Sequence, residues 1–173
     1  MTCTDVDLST STAVALHGRH GVGDLMTYRE ADAKDLPFDD GIFDFVVFKS
    51  VLGVVGAKGQ KHFQAKAVRE IARVLKPGGR LFFAENLQGS GLHRLARLCF
   101  VPWARAWTYL TLRELGDLLR EAFATQEIRS TGLTSAFILK PEFLRSGFAM
   151  VDSSLLRWAP ASWNYVAYGH AVK

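Results

Sequence analysis

The chain has 173 residues, of which 49% are hydrophobic and 22% are charged, and its formal net charge is +4. These values are typical of a single globular domain with a buried core, and they exclude a disordered chain. Cys3 and Cys99 are too few and too far apart for a disulfide framework or a zinc site, so we expect reduced thiols, no bound metal and a cytoplasmic protein. No apolar run reaches the ~18 residues that a membrane-spanning helix needs.

The N-terminal part of the chain predicts two short strands separated by a short helix. Residues 1–4 are strand-like and end at Asp5, and the Ser/Thr cluster at residues 9–12 offers caps for a helix. A second short strand is predicted for residues 26–30, and Asp32 follows it. Each of these strands therefore leaves an acidic residue at its carboxyl end.

The middle of the chain contains the strongest pattern. Residues 43–48, FDFVVF, follow a Pro/Asp/Gly turn, and such a near-continuous apolar strand is expected to be buried on both faces, as in a parallel sheet. Residues 61–76 predict an amphipathic helix that ends at the Lys-Pro-Gly-Gly turn, and residues 80–84 begin the next strand.

The C-terminal part continues the alternation of helices and strands. A second amphipathic helix begins at Thr111, which forms a capping box with Glu114, and strand candidates follow at residues 126–130 and 165–172. This order predicts an α/β sandwich on a mostly parallel sheet, in which ligands bind beyond the carboxyl ends of the strands. The polar residues at those ends are Asp5, Asp32, Lys49, Ser50, Glu85 and Asn86.

Three segments resemble the class I S-adenosylmethionine-dependent methyltransferases, and they occur in the family's order. Residues 31–55, ADAKDLPFDDGIFDFVVFKSVLGVV, are similar to its D-A-x-x-L-P-F-x-D-x-x-F-D-x-V segment, and residues 68–86, VREIARVLKPGGRLFFAEN, to its R-V-L-K-P-G-G-x-L segment. TDVDLS at residues 4–9 resembles its acidic strand end. The resemblance runs from about residue 1 to about residue 131. It implies one domain over residues 1–173, a Rossmann-like three-layer sandwich with a mostly parallel sheet and an antiparallel last strand.

The resemblance also implies S-adenosylmethionine as cofactor and suggests residues that bind it. Asp5, with Asp7 as the alternative register, corresponds to the acid that accepts the ribose hydroxyls. Asp32 and the backbone of Ala33 match the position that contacts the adenine edge. Lys49 and Ser50 lie in the loop that faces the methyl donor. For the substrate we expect Asn86, at the strand end, and His93, the one histidine near the predicted site. The resemblance leaves the catalytic residue and the acceptor atom open.

The chain departs from the family pattern at its start. The family opens with a strand and a G-x-G-x-G loop, and the only similar stretch, residues 18–23, follows the acidic strand end instead of preceding it. We therefore expect an N-terminally incomplete domain. Either Met1 is an internal methionine of a longer reading frame, or the chain is a degraded or specialised relative, or a dimer mate or partner chain completes its sheet. A chain without that strand and loop is expected to bind the cofactor poorly and to show no methyl transfer by itself.

Two apolar inserts, residues 87–110 and 133–162, are expected to cover the site or to pack as surface helices, with a membrane-surface role for the first as a further option. They favour a small or lipophilic substrate over a nucleic acid. Two other functions stay open from the sequence: a non-catalytic interaction protein that keeps the fold, and a nicotinamide-dependent oxidoreductase, whose fold also ends its second strand with an acid.

Overall fold

The computed structural model describes residues 1–7, 11–101, 105–133 and 159–173, and most of the second insert therefore lies outside the described residues. Strands and helices alternate along the described chain, which confirms the α/β class. The elements are β1 (Thr2–Asp5), α1 (Ser11–Arg19), β2 (Thr27–Glu30), β3 (Phe43–Lys49), α2 (Leu52–Val55), α3 (Lys61–Val74), β4 (Leu75–Asn86), α4 (Gly91–Phe100), α5 (Leu112–Ala122), β5 (Thr125–Thr131) and β6 (Val166–Val172).

The strands form two sheets. β1 and β2 make a parallel pair, and the four other strands form a mixed sheet in the order β3-β4-β6-β5. β3 and β4 are adjacent and parallel, as predicted, while β6 lies antiparallel to both β4 and β5. The antiparallel last strand is thus confirmed, and β4 occupies an interior position of the larger sheet.

Helix α3 and strand β4 are continuous in the chain. The helix ends at Val74, two residues before the predicted end, because Leu75 is already extended and pairs with Phe43 of β3. Gly78 has a φ of +76°, a conformation that glycine adopts without steric cost, and it allows the chain to turn within the Lys-Pro-Gly-Gly segment. The register of β4 against β3 shifts after this first pair, so that Phe45 pairs with Arg80 and Lys49 with Ala84.

The hydrophobic core lies between one face of the larger sheet and helices α3 and α5. Its buried side chains include Val68 and Ile71 of α3, Leu115 and Leu119 of α5, and Leu81 of β4. These apolar residues recur at helical spacing on α3 and α5, so burying them in one layer removes both apolar stripes from water.

The prediction that residues 43–48 are buried on both faces is wrong for this structure. Phe45 and Val47 of β3 are 61% and 66% exposed, and Phe82 of β4 lies beside them at 38%. β3 is an edge strand of its sheet, and α3 and α5 cover only the opposite face, against which Val46 and Phe48 pack. A run of apolar residues makes a strand compatible with burial on both faces. Whether the second face is buried depends on other elements that pack against it.

The turn between β2 and β3 is held to α3 by one arginine. Arg73 donates to the carbonyl oxygens of Leu36 (2.9 Å) and Phe38 (2.8 Å), and it forms ion pairs with Asp40 (2.7 Å) and Glu70 (2.8 Å). The Arg73 hydrogen bond lowers the pKa of Glu70, against the opposing effect of partial burial. Arg73 thereby connects the loop that follows the small sheet to the core of the larger sheet.

No described strand lies between β1 and β3, so each of these strands has one edge without a β partner within the residues that the structure covers. The interpretation that an opening strand is missing, and that a second chain could supply it, stays a prediction.

Candidate functional site

The carboxyl ends of β3 and β4 bring two of the predicted site residues together. The parallel register pairs Lys49 with Ala84, and the next residue, Ser50, donates its backbone N–H to the Ala84 carbonyl over 2.8 Å. The Asn86 side-chain amide donates to the Ser50 hydroxyl over 3.0 Å. Ser50 has a φ of +56°, which non-glycine residues adopt only when their surroundings hold them there, and such conformations concentrate at functional sites.

Lys49, although adjacent in the chain, points elsewhere. Its side chain lines an open hollow of about 570 Å³ on the uncovered face of the larger sheet, together with Val47, Phe82, Tyr168 and His170. Alternation along a strand sends neighbouring side chains to opposite faces, so Lys49 and Ser50 do not converge on one point. The sequence predicted that Lys49 and Ser50 lie together in the loop that faces the methyl donor, but in the structure their side chains point in different directions.

Glu85, which the sequence places among the polar strand-end residues, has a structural role at the site. It is 1% exposed, its Oε2 accepts the N–H of Leu52 over 2.9 Å, and its Oε1 accepts the N–H of Asn86 over 3.2 Å. Burial raises the pKa of the Glu85 carboxyl, while these backbone donors oppose the shift. The carboxylate therefore fixes the loop after Ser50 and the start of α2. A lone acid at the end of an apolar strand was the sequence signal for it.

A buried glutamine holds the neighbouring segments beside this loop. Gln64 of α3 is fully buried, and its amide nitrogen donates to the carbonyls of Leu52 (3.0 Å) and Thr108 (2.8 Å). The N–H of Thr108 in turn donates to the Gly53 carbonyl over 2.9 Å. The loop after β3 is thus fixed from both sides by hydrogen bonds.

Helix α4 closes over the carboxyl end of β4 through its polar side chains. His93 is 2% exposed and stacks on Tyr165 with a centroid distance of 5.6 Å. The Arg97 guanidinium lies 3.8 Å from the Tyr109 ring centroid and 4.8 Å from that of Tyr165, and it donates to the Leu87 carbonyl. Burial lowers the pKa of Arg97. His93 is the predicted substrate residue, whereas Arg97 was not predicted, although its i, i+4 spacing from His93 was the available signal.

The acidic candidates lie at the carboxyl end of the small sheet. The Asp5 carboxylate is 3.4 Å from the Asp7 N–H, and the Asp5 carbonyl accepts the Ala31 N–H over 2.9 Å. Asp32 follows β2, where its carboxylate accepts the Lys34 N–H over 2.9 Å and forms a partly exposed ion pair with the Lys34 ammonium at 3.1 Å. Asp32 is therefore in no buried salt bridge.

The site candidates thus form two groups, one at the carboxyl end of each sheet. Ala33 packs against the core beside the first group, and no hydrogen bond or ion pair between described residues joins that group to Ser50 and Asn86. No three His, Cys, Asp or Glu side chains among the described residues are placed to hold a metal ion.

A sequence model described as "Methyltransferase domain" matches residues 1–83 of the chain, that is, both strands of the small sheet, β3, α3 and most of β4. This match supports a class I S-adenosylmethionine-dependent methyltransferase domain over the first half of the chain. The nicotinamide-dependent and non-catalytic alternatives gain no support from the comparisons.

Similar curated proteins include the ubiquinone/menaquinone biosynthesis C-methyltransferases UbiE of Proteus mirabilis and Vibrio vulnificus. The first is 42% identical over 66 residues, which is 38% of this chain and 24% of the relative. The second is 40% identical over 102 residues, which is 57% of this chain and 34% of the relative. The chain therefore spans about a quarter to a third of the length of these relatives.

A solved structure with the same fold is the Haemonchus contortus phosphoethanolamine N-methyltransferase 2 in complex with S-adenosyl-L-methionine. It is 18% identical, with a TM-score of 0.62, and the match covers 99% of this chain and 43% of the other. At this identity the likeness establishes the Rossmann-like fold of the chain and nothing more.

Proposed function

We propose that this methyltransferase-family chain binds S-adenosylmethionine at the carboxyl ends of its strands and contributes to methyl transfer onto a small, lipophilic acceptor. The observation that carries the proposal is the strained Ser50, bonded to Asn86 and fixed by Glu85, at the edge where open α/β sheets bind ligands. The quinone-biosynthesis names of the relatives favour a quinone-type ring as the acceptor.

The proposed cofactor contacts follow from the chemistry of the two groups. Asp5 or Asp7 accepts the ribose hydroxyls, and Asp32, with the Ala33 backbone, accepts the exocyclic amine of adenine. Ser50 and Lys49 orient the loop nearest the reacting centre, while Asn86 and His93 contact the acceptor. When bound, the cofactor supplies a sulfonium methyl group, which transfers by in-line displacement. The chain's own residues contribute mainly proximity and orientation.

S-adenosylhomocysteine titration followed by amide chemical shifts in ¹H–¹⁵N NMR tests the binding proposal even if affinity is low. We expect the amides of Ala33, Ser50 and Asn86 to shift together. Replacement of Asp32 with alanine should weaken binding by about 1–3 kcal/mol, because one charge-assisted hydrogen bond is lost.

Asp39→Ala is the matched control, since Asp39 is an exposed carboxylate of the following turn. If the Asp32→Ala and Asp39→Ala variants both bind S-adenosylhomocysteine as tightly as the wild-type chain does, Asp32 is not a cofactor ligand. If the amides at both sheet ends remain unshifted at millimolar ligand, the binding proposal fails for this chain. The same titration tests the expectation that the isolated chain binds weakly.

A further inference from the structure

Residues 86–113 form a long stretch in which every charge is positive. The segment contains Arg94, Arg97, Arg105 and Arg113 but no aspartate or glutamate, and Glu85 and Glu114 flank it on either side. The rest of the chain mixes both signs of charge. This charge asymmetry distinguishes the segment around α4 from the rest of the sequence, although Arg97 is buried and Arg113 pairs with Asp117.

Helix α4 has three leucine side chains on the outside. Leu92, Leu95 and Leu98, which we call the leucine face, are 63%, 58% and 55% exposed. The opposite side of the helix buries His93 and Arg97 against Tyr165 and Tyr109. Rotation of α4 to bury the leucines would break both aromatic contacts and the Arg97 bond to the Leu87 carbonyl. The leucine face is therefore exposed because the opposite, polar side of the helix is held by the contacts of His93 and Arg97.

Basic and aromatic groups border the leucine face. Arg94 is exposed within α4, and Arg105 donates to the Leu98 carbonyl over 2.5 Å at the end of the helix. Trp163 is 50% exposed at the other end, where its carbonyl accepts the Ser90 N–H over 3.2 Å. No salt bridge occupies Arg94 or Arg105 within the described residues.

We propose that the leucine face docks on an anionic lipid bilayer surface. Helices that lie in the interface combine exposed leucines, an aromatic residue and arginines, and their binding strengthens with the negative charge of the lipid. A ten-residue helix buries little area, so the binding should be reversible and sensitive to salt. Among the described residues no helix is long and apolar enough to cross a membrane.

The docking surface lies beside the candidate site. α4 begins five residues after Asn86, and Arg97 bonds the carbonyl of Leu87, the residue that follows Asn86. A bilayer against the leucine face would therefore lie next to the carboxyl edge of β4. This inference stands on the exposed side chains and charges and holds whether or not the chain transfers methyl groups.

Co-sedimentation of the 173-residue chain with vesicles tests the proposal. We expect binding to vesicles that mix phosphatidylglycerol with phosphatidylcholine, weaker binding to pure phosphatidylcholine, and release at high salt. Arg94→Gln should weaken binding to the anionic vesicles about fivefold, the effect of one basic residue near the surface. Leu95→Gln should weaken it by a similar or larger factor.

Leu25→Gln and Arg19→Gln are the matched controls, because Leu25 is 70% exposed and Arg19 is exposed on α1, both away from α4 in the chain. They should bind the vesicles as the wild type does, and circular dichroism should show all four variants folded. The proposal is overturned if the wild type binds neither vesicle, or if the controls lose as much binding as Leu95→Gln. The proposal is also overturned if light scattering shows that the wild type is a dimer and that Leu95→Gln makes it monomeric without changing vesicle binding. The leucine face would then be the interface between two copies of the chain.

Discussion

Single residues at the candidate site act by holding the backbone in place. Glu85 has no charged partner within hydrogen-bond distance among the described residues, and its carboxylate instead accepts backbone N–H groups at the start of α2 and at Asn86. Ionising a carboxyl group that is buried in this way costs free energy, because the charge loses its hydration. The pKa of Glu85 is therefore raised. The loop that carries Ser50 is thus coupled to the ionisation of one buried acid.

This coupling predicts a pH dependence of stability. Because the folded-state pKa of Glu85 lies above the ordinary value of 4.5, the folded chain binds this proton more tightly than the unfolded chain. The stability from this group is therefore fully present below pH 4.5 and is lost as pH rises through the folded-state pKa. Glu85→Gln removes the titration, so the wild-type free energy of unfolding should fall relative to that of the variant as pH rises.

Urea unfolding of both proteins from acid to neutral pH measures the difference. Glu121→Gln on the exposed side of α5 removes the same formal charge and should run parallel to the wild type. A constant difference between wild type and Glu85→Gln across this pH range would contradict the role assigned to burial.

At the scale of elements, close backbone approach and polar packing decide the arrangement of β6 and α4. A Cβ atom added at Gly169 of β6 would lie 1.9 Å from the Glu127 carbonyl oxygen of β5. The β5–β6 pairing therefore depends on a glycine at this position. In α4 the usual amphipathic arrangement is reversed, since His93 and Arg97 pack inward.

We expect Gly169→Ala to destabilise the fold by about 1–3 kcal/mol or more, because backbone atoms must separate to admit the methyl group. Gly18→Ala in α1 is the control, since no atom lies within 4 Å of the added Cβ and alanine favours a helix by about 0.5–1 kcal/mol. Thermal unfolding of both variants provides the measurement. Equal melting temperatures would show that β5 and β6 can separate without cost.

At the scale of the whole molecule, the sheet is divided and one of its faces is uncovered. β3 is an edge strand with Phe45 and Val47 exposed, and exposed apolar edge strands are sites of self-association. The neighbouring Val46 points the other way and packs against the core. The two faces of one strand should therefore respond in opposite ways to a charge.

Val47→Lys should keep the fold within about 0.5 kcal/mol and reduce light scattering at high protein concentration, because it places a charge on an exposed apolar surface. Val46→Lys should cost more, about 1–3 kcal/mol, since it places an ammonium on the partly buried side of the strand that packs against the core. Circular dichroism and light scattering distinguish the two results. If Val47→Lys unfolds the chain as Val46→Lys does, a further layer covers that face in solution.

Local patterns in the sequence predicted most of the elements correctly. The period of apolar residues in α3 and α5, the capping box at Thr111 and Glu114, and the apolar run of β3 are properties of short segments, and each appears in the structure. The acidic and polar strand ends also follow from strand boundaries alone. The resemblance to the methyltransferases came from two motifs of the same local kind, residues 31–55 and 68–86.

Only the tertiary structure decided which surfaces meet. The role of Glu85, the inward packing of Arg97, the divergence of Lys49 and Ser50, and the exposed face of β3 depend on elements that are distant in the chain. A side chain is buried only when another layer of the structure covers it. The periodic pattern of apolar residues in a sequence shows which side of an element is apolar, but not whether another element covers that side. The sequence of β3 and α4 therefore indicated an apolar strand and an amphipathic helix, while their neighbours determined that both leave apolar side chains in contact with solvent.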